Sequence, residues 1–150
     1  MTTDNMVLIP QPDGIAIFDT NCDKIDSIAL DFTPYMISVG PDELLYIFAY
    51  NGGETNIVCM DLKGVIQWEK TLNVFRLLQP PIVSAKSMVI LVEQLNNNNK
   101  IEAFKDNQKL WEYELEGRKA MATVLNDETI LVIDGKRLLY LNESGKAIWI

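Results

Sequence analysis

Carboxylates are the only plentiful acid–base groups in this sequence, because its 150 residues include no histidine. A chain without histidine has no Ser-His-Asp or Cys-His triad and no imidazole to move protons near neutral pH. The acidic side chains are scattered over turns and alternating positions of extended segments, where solvated surface is their usual state. We therefore predict no catalytic residue and expect a protein that is not an enzyme.

The densest group of possible metal ligands consists of Asp19, Asn21 and Asp23, which follow one another at every second position. Calcium takes about six to eight oxygen ligands, and its loop sites add an ordered spacing and a bidentate glutamate. This segment has neither of those features, and the residue types also suit a hairpin turn. A turn is the better interpretation, and we predict no metal and no cofactor.

The two cysteines, Cys22 and Cys59, are far apart and follow no spacing pattern. This indicates free thiols rather than a disulfide framework, which favours a reducing compartment. The first basic residue is Lys24, so no charged leader is visible, and no apolar run approaches the roughly 20 residues of a membrane span. We expect a cytoplasmic protein.

The formal net charge is −8, from 13 basic and 21 acidic residues. Binding to a phosphate backbone depends on basic side chains that release counterions, and anionic lipid surfaces attract basic segments for a related reason. An acidic chain is poorly suited to both surfaces. We expect neither nucleic acid nor membrane as a partner, which leaves proteins and small ligands.

Four segments of the chain align as repeats at intervals of about forty residues. Each aligned segment has two short extended runs joined by a turn, and two more such runs precede each of the last three. One column of the alignment holds Ile15, Ile57, Ile101 and Leu138, and another holds Phe18, Met60, Phe104 and Leu141.

The runs are rich in Val, Ile, Tyr and Phe and are bounded by Gly, Asn, Asp and Pro, which is typical of strands and hairpin turns. Four antiparallel strands per repeat predict an all-β protein of β-propeller-type blades, stacked face to face so that each sheet buries both faces. We expect about four blades in one repeat domain, with a three-stranded first blade. The blades are predicted to cover residues 6–32, 33–74, 75–117 and 118–150.

Within the repeat, Asp61, Gly64 and Trp68 stand in a fixed order: an acid, a turn that ends in glycine, and a tryptophan four residues later. This unit resembles the quinoprotein-like propeller repeat of pyrroloquinoline-quinone dehydrogenases and their non-catalytic relatives. The last copy matches with Asn142, Gly145 and Trp149; the third matches loosely with Lys105, Gln108 and Trp111; the first keeps Asp19 but has Cys22 and Asp26.

The resemblance implies that Trp68, Trp111 and Trp149 dock between neighbouring blades, with Asp61, Gly64 and Gly145 shaping the turns. The dehydrogenases of that family bind their cofactor with an adjacent pair of cysteines, a catalytic aspartate and calcium. Adjacent cysteines are absent here. The chain is therefore expected to resemble a non-catalytic member of the family, or a fragment of one.

The resemblance implies a closed ring of about six to eight blades, which is more than the four predicted here. Three explanations of this difference are open. The chain is a fragment, or two copies complete a ring, or four blades close unusually. An open arc would expose whole sheet faces, which favour association. We expect an incomplete propeller that pairs with something, and a homodimer that completes a ring is one form of this.

The segment from Asn73 to Pro81 links two blades and is longer and more apolar than its counterparts. Aromatic residues and arginine are enriched at the centres of protein interfaces. We predict a partner-binding surface there and at the neighbouring asparagine-rich turn; alternatively, Phe75, Leu77 and Leu78 begin the next inner strand. The residues of this predicted surface are Phe75, Arg76, Leu77, Asn97 and Asn98.

The function that this organisation favours is a non-enzymatic protein-interaction module or scaffold. One alternative is a fragment of a quinoprotein-like enzyme or sensor, which would need further repeats with a histidine or a cysteine pair. Another is a carbohydrate- or ligand-binding propeller, which would repeat aromatic residues in the rim loops of each blade. Such a repetition is not seen here.

Overall fold

The computed structural model describes residues 5–149, apart from the side chain of Trp149. All regular secondary structure in this part of the chain is β, in four antiparallel sheets that we number as blades 1 to 4. The predicted fold class is confirmed, including the three-stranded first blade.

Blades 1 and 2 contain seven strands. Blade 1 consists of β1 (Val7–Gln11), β2 (Gly14–Phe18) and β3 (Lys24–Ala29), and blade 2 consists of β4 (Thr33–Val39), β5 (Leu45–Asn51), β6 (Glu54–Met60) and β7 (Ile66–Leu72). The strands of each blade are hydrogen-bonded in chain order, so each blade is a simple meander.

Blades 3 and 4 contain the remaining strands. Blade 3 consists of β8 (Arg76–Leu77), β9 (Ile82–Val83), β10 (Val89–Gln94), β11 (Asn99–Lys105) and β12 (Gln108–Leu115), and blade 4 consists of β13 (Ala120–Val124), β14 (Ile130–Asp134), β15 (Arg137–Leu141) and β16 (Ala147–Trp149). In blade 3 both β8 and β9 pair with β10, so its inner strand is one strand interrupted at residues 78–81.

The chain divides into two compact units, residues 1–72 with blades 1 and 2 and residues 73–150 with blades 3 and 4. The strands of each sheet fall within the residue ranges predicted for that blade. The prediction that the whole chain forms one repeat domain stays a prediction.

Within the first unit, the two blades bury one sheet face each against the other. We call the face that packs on the following blade the leading face, and the face that packs on the preceding blade the trailing face. The leading face of blade 1 contributes Ile15, Ile17 and Ile28 to a shared apolar cluster. The trailing face of blade 2 contributes Leu45, Ile47, Val58 and Met60.

The second unit repeats this arrangement in the same register. The leading face of blade 3 contributes Ile90, Val92, Ile101 and Ala103, and the trailing face of blade 4 contributes Ile130, Val132, Leu139 and Leu141. Fully burying an aliphatic side chain is worth about 1.5–3 kcal/mol, so these clusters are the main source of cohesion in each unit. The alternation of side chains along a strand then leaves a second face on every blade.

The turn between the third and fourth strands explains the acid-to-glycine spacing of the repeat. Asp61 Oδ1 accepts hydrogen bonds from the backbone N–H groups of Lys63 at 2.8 Å and Val65 at 2.9 Å. This wraps the chain into a turn whose fourth residue, Gly64, has a φ of +86°. Glycine adopts a positive φ at no steric cost, which accounts for its place in the motif.

Candidate functional site

Phe75 and Arg76 lie at the start of blade 3, where the interrupted inner strand begins. The backbone N–H of Phe75 donates to the carbonyl oxygen of Gln94 at 2.9 Å, and Arg76 Nε donates to Gln94 Oε1 at 2.6 Å. Both contacts fix this short strand against the end of β10. The Phe75 side chain is nevertheless 64% exposed, so an aromatic ring projects into solvent from a fixed backbone.

The asparagine-rich turn lies at the same end of blade 3, because it directly follows β10, whose last residues pair with β8. The backbone N–H of Leu95 donates to the Asn98 carbonyl at 2.9 Å and closes the turn. Asn97 and Asn98 are exposed. The structure thus brings four of the predicted partner-binding residues to one edge of the blade, which we call the blade 3 rim patch: Phe75, Arg76, Asn97 and Asn98.

Leu77, the fifth residue of that predicted surface, is only 2% exposed and pairs with Glu93 in the sheet. Its side chain belongs to the interior and is not available to a partner. The alternative that this segment begins the inner strand therefore describes Leu77, while Phe75 stays at the surface. The two interpretations hold for different residues of the segment, because Leu77 lies within β8 and pairs with Glu93, whereas Phe75 precedes the strand.

Trp111 lies at the joint between blades 3 and 4. Its Nε1 donates to the backbone carbonyl of Glu143 at 2.8 Å, in the turn between β15 and β16. A Cβ atom added to Gly145 would overlap the Trp111 ring, so only glycine allows the ring to approach this closely. An ion pair between Lys86 and Glu143, at 3.1 Å, reaches the same turn.

The other residues of the tryptophan column are placed differently. Trp68 is half-buried on β7, with its ring 6.2 Å from that of Tyr46 in the same blade. Asp26 in blade 1 is exposed. The side chain of Trp149 lies outside the described residues. A docking role for the three tryptophans as a set stays a prediction.

Two acid–base pairs, each with a buried carboxylate and a partly exposed base, lie near the same edge of blades 3 and 4 and were not singled out from the sequence. In blade 4, Asp134 accepts from the backbone N–H groups of Glu116 at 3.0 Å and Gly117 at 2.5 Å, and it also pairs with Arg137. Burial works against the charged form of Asp134, but the Arg137 guanidinium and these two N–H groups outweigh it and lower the pKa. The carboxylate therefore ties the link between the two blades to β14.

In blade 3, the corresponding carboxylate belongs to Glu93, which is fully buried. Lys100 Nζ lies 3.2 Å from Glu93 Oε2 but is shared with Glu102, and neither oxygen of Glu93 has a well-formed hydrogen bond from the described residues. Burial and the negative charge of Glu102 raise the pKa of Glu93 to about 7. The sequence signal for this pair was a charged residue at the end of an apolar strand.

A shallow cleft of about 270 Å³ lies within the first unit, where the turn after β1 approaches the turn after β5. Its lining includes Asp13, Asp31 and Tyr50. The Tyr50 ring stands edge-on to Tyr35, with the ring centroids 5.0 Å apart. The cleft also includes the Thr33 hydroxyl, which donates to the Pro12 carbonyl at 3.1 Å, so it offers carboxylate and hydroxyl groups beside an aromatic ring.

Among residues 5–149, no group of three or more Cys, Asp or Glu side chains is placed to hold a metal ion. Cys22 is exposed and Cys59 is buried, and neither forms a disulfide bond. No helix in the described part of the chain is long and apolar enough to cross a membrane.

Comparison with known proteins identifies the class of fold. No protein-family model matches the sequence, and no curated protein sequence matches it. Solved structures do match. A protein of unknown function from Bacteroides caccae matches with a TM-score of 0.70 and 16% identity, over 99% of this chain and 57% of its own length.

Two further matches have known names. BamB from Moraxella catarrhalis has a TM-score of 0.66 and 17% identity over 99% of this chain and 48% of its own. A streptogramin B lyase has a TM-score of 0.67 and 18% identity over 97% of this chain and 51% of its own. The matches share a β-propeller-type fold with this chain, which spans about half their length. Identities this low show the fold and not the activity.

Proposed function

We propose that this chain is a non-enzymatic protein-interaction module that contacts its partner through the blade 3 rim patch. The observation that carries the proposal is the exposure of Phe75, whose backbone N–H is hydrogen-bonded to the Gln94 carbonyl, beside the side-chain bond from Arg76 to Gln94. An exposed aromatic ring on a mobile loop would lose entropy on binding, whereas a pre-ordered ring loses little. Burial of such rings supplies much of the affinity of protein interfaces.

The neighbouring groups suit a polypeptide partner. The exposed Arg76 guanidinium has donors besides the Nε that binds Gln94, and the side-chain amides of Asn97 and Asn98 each offer a donor and an acceptor. These groups match the carbonyl, amide and carboxylate groups of a protein surface. The absence of a disulfide between Cys22 and Cys59 and the acidic charge support placing the module in the cytoplasm, away from nucleic acid and membrane, as part of the same proposal.

The residue types also support a binding role over catalysis. Virginiamycin B lyase from Staphylococcus aureus has been solved as a catalytically inactive histidine-to-alanine variant with quinupristin, and it matches this chain at 17% identity over 52% of its own length. The present chain has no histidine of its own to serve in such a reaction.

A site-specific crosslinking experiment tests the proposal. A photo-crosslinking phenylalanine analogue at position 75 should form an adduct with one partner protein in cells, because Phe75 lies at the contact. The same analogue at Leu110, which is also exposed but lies on the outer strand of the blade, serves as the matched control and should not.

The adduct at position 75 should decrease at least about tenfold when Arg76 is replaced by alanine, because interface arginines often contribute more than about 1.4 kcal/mol. Arg76→Ala should leave the circular dichroism spectrum unchanged, since the side chain is exposed. Equal adducts at positions 75 and 110, or none at 75, would reject the rim patch as the binding surface.

A further inference from the structure

The leading face of blade 4 is apolar and exposed, although the same face is buried in blades 1 and 3. It presents Met121, Ile133 and Leu138, which are 62%, 49% and 39% exposed. Met121 pairs with Ile133, and Ile133 pairs with Leu138, so the three side chains form one row across the sheet. None of them carries a charge.

The strand pairing of blades 3 and 4 shows which surface this row of side chains corresponds to in the neighbouring blade. Val92 pairs with Ile101 in blade 3, and Ile133 pairs with Leu138 in blade 4. Because Ile101 and Leu138 share a column of the repeat, Ile133 occupies the position of Val92. Val92 is 1% exposed and packs in one cluster with Val132, on the trailing face of the following blade. The leading face of blade 4 therefore corresponds to a blade–blade interface that the second unit already contains.

The complementary surface is the trailing face of blade 1. Ile9 pairs with Ala16 there, as Val132 pairs with Leu139 in blade 4. Ala16 follows Ile15 and Leu139 follows Leu138, and Ile15 and Leu138 are equivalent positions of the repeat. Ile9 in blade 1 is therefore equivalent to Val132 in blade 4. Ile9 is 44% exposed, with Val7 and Phe18 half-buried on the same face. The chain thus carries an exposed leading face on its last blade and an exposed trailing face on its first.

We infer that these two faces bind each other between two copies of the chain, head to tail, with Ile133 of one copy against Ile9 of the other. Three observations favour a second copy as the occupant. The interface continues a packing that both units already use. The positions named on the two faces hold no charged side chain, so their contact buries apolar groups and no charge.

The third observation is length. This chain covers 57%, 48% and 51% of three propeller-type structures, so two copies supply about the length of one of them. A head-to-tail interface is heterologous, and it ends in a closed assembly only when the rotation closes. Two copies contribute eight blades and use both exposed faces of each chain. The association is independent of the blade 3 rim patch, which lies on neither face.

Sedimentation equilibrium of the full chain tests the inference. The wild-type chain should have about twice the sequence mass of 17.0 kDa at micromolar concentration. Ile133→Lys and Ile9→Glu should each give the single-chain mass, because each buries an unpaired charge in both interfaces of a homodimer. Val65→Lys changes an equally exposed residue in a turn and should leave the mass of the dimer unchanged.

Mixing the two charge variants gives the decisive measurement. In a mixed dimer, the introduced lysine faces the introduced glutamate at one interface, and both native isoleucines meet at the other. The mixture should therefore recover the dimer mass. This outcome requires head-to-tail pairing, because a face that pairs with itself would not be rescued. Circular dichroism of each variant must match wild type, and Ile133→Thr with Ile9→Thr replace the charged pair if it does not.

Each remaining outcome overturns the inference. A wild-type mass of one chain would show that a second copy does not cover these faces. A mass beyond two chains would show an open assembly instead of a closed pair. Folded charge variants that stay dimeric, or a mixture that stays monomeric, would place the contact elsewhere.

Discussion

Glu93 in blade 3 and Asp134 in blade 4 occupy the same position of the repeat, yet their pKa values move in opposite directions. Each lies near the end of the second strand of its blade. Glu93 pairs with Lys100 and Asp134 pairs with Arg137, and each of these bases directly precedes the aligned repeat position held by Ile101 or Leu138. The pKa of Asp134 is lowered, whereas the pKa of Glu93 is raised to about 7. Burial is the largest single influence on both groups and acts in the same direction on both.

The difference comes from the surrounding hydrogen-bond donors. Two backbone N–H groups from the link between the blades point at Asp134, in addition to its own arginine. Glu93 has a lysine that also serves Glu102 and Glu112, and it has no such backbone donors among the described residues. In blade 2 the same position holds Ala49 opposite Asn56. The fold therefore tolerates the acid without requiring it, and the local donors decide whether the charge is stabilising.

The largest loss of stability is expected from Asp134→Ala, which tests whether the donors around Asp134 make its charge stabilising. Removal of the carboxylate leaves the N–H groups of Glu116 and Gly117 and the Arg137 guanidinium without their partner. Breaking a buried ion pair on one side costs about 3–5 kcal/mol, and we expect about 3 kcal/mol in the free energy of unfolding by urea. Asp127→Ala removes an exposed carboxylate that accepts one backbone N–H in a turn, and it should cost much less than Asp134→Ala because water replaces the lost contact.

The pH dependence of the stability of Asp134→Asn tests whether the negative charge of Asp134 stabilises the folded chain. Because the pKa of Asp134 is lowered in the folded chain, its contribution is fully present above the ordinary aspartate pKa and is lost as the pH falls from there through the lowered pKa of the folded chain. The stability difference between wild type and Asp134→Asn should therefore shrink on acidification. A difference that stayed constant would mean that the charge of Asp134 is not what stabilises the link.

The next effect concerns packing at the same joint between blades 3 and 4. Trp111→Ala removes the ring that covers Gly145 and the hydrogen bond to the Glu143 carbonyl. Replacing a fully buried aromatic residue by alanine lowers the free energy of unfolding by about 3–5 kcal/mol. Because Trp111 is half-buried, we expect a loss of about 2 kcal/mol. Leu110→Ala, one residue earlier and exposed, should change stability by less than about 0.5 kcal/mol. Equal losses for both variants would show that Trp111 does not join the blades.

The sequence was sufficient to predict the blades, because their strands and turns are set by local residue types. The apolar runs specify strands, and the spacing from Asp61 to Gly64 specifies a turn by its own hydrogen bonds and positive φ. The interruption between β8 and β9 was not predicted, since Arg76–Leu77 is too short a strand to show alternation. The exposure of Phe75 and burial of Leu77 also depend on pairing with β10, which the sequence does not reveal.

The acid–base pairs could not be ranked from sequence for a different reason. Glu93 and Asp134 both follow apolar strand residues, and both look like surface charges at the ends of strands. Their protonation depends on which backbone N–H groups a link between blades brings near, over a separation of 17 or 18 residues for Asp134. Sequence patterns of period two carry no information on such contacts.

A smaller effect, with the opposite sign, is expected at Glu93. Its pKa of about 7 in the folded chain exceeds the ordinary value of 4.5, so folding favours the protonated form and stability falls as the pH rises through 7. Glu93→Gln removes this cost. We expect a gain of about 1–2 kcal/mol at a pH of about 8 and none at a pH of about 4, below the ordinary value of 4.5, measured by urea unfolding at both pH values.

The Glu93 result also sharpens the comparison with blade 4. A Gln substitution should stabilise blade 3 above the folded-state pKa of Glu93, whereas Asp134→Asn should destabilise blade 4 under the same conditions. If Glu93→Gln also lowered stability there, then Lys100 would be compensating the buried charge fully, and the two blades would not differ in kind.

The smallest expected effect tests whether a side chain substitutes for the interrupted inner strand. Gln79 lies in the gap between β8 and β9, where its Nε2 donates to the Ala122 carbonyl at 3.0 Å and its Oε1 accepts from the Ala122 N–H at 2.7 Å. The amide thus makes the two hydrogen bonds that a strand residue would make to β13. Gln79→Ala should cost about 1 kcal/mol in urea unfolding, because the Ala122 groups are only half-buried and water replaces part of the loss.

Gln79→Glu is the informative control for this last contact. Glutamate keeps the acceptor for the Ala122 N–H but loses the donor to its carbonyl, so the variant should be less stable than wild type and no more stable than the alanine variant at neutral pH. At a pH below the ordinary glutamate range, protonation restores a donor and the cost should fall. An alanine variant as stable as wild type would show that β8 and β9 hold blade 3 on blade 4 without the Gln79 amide.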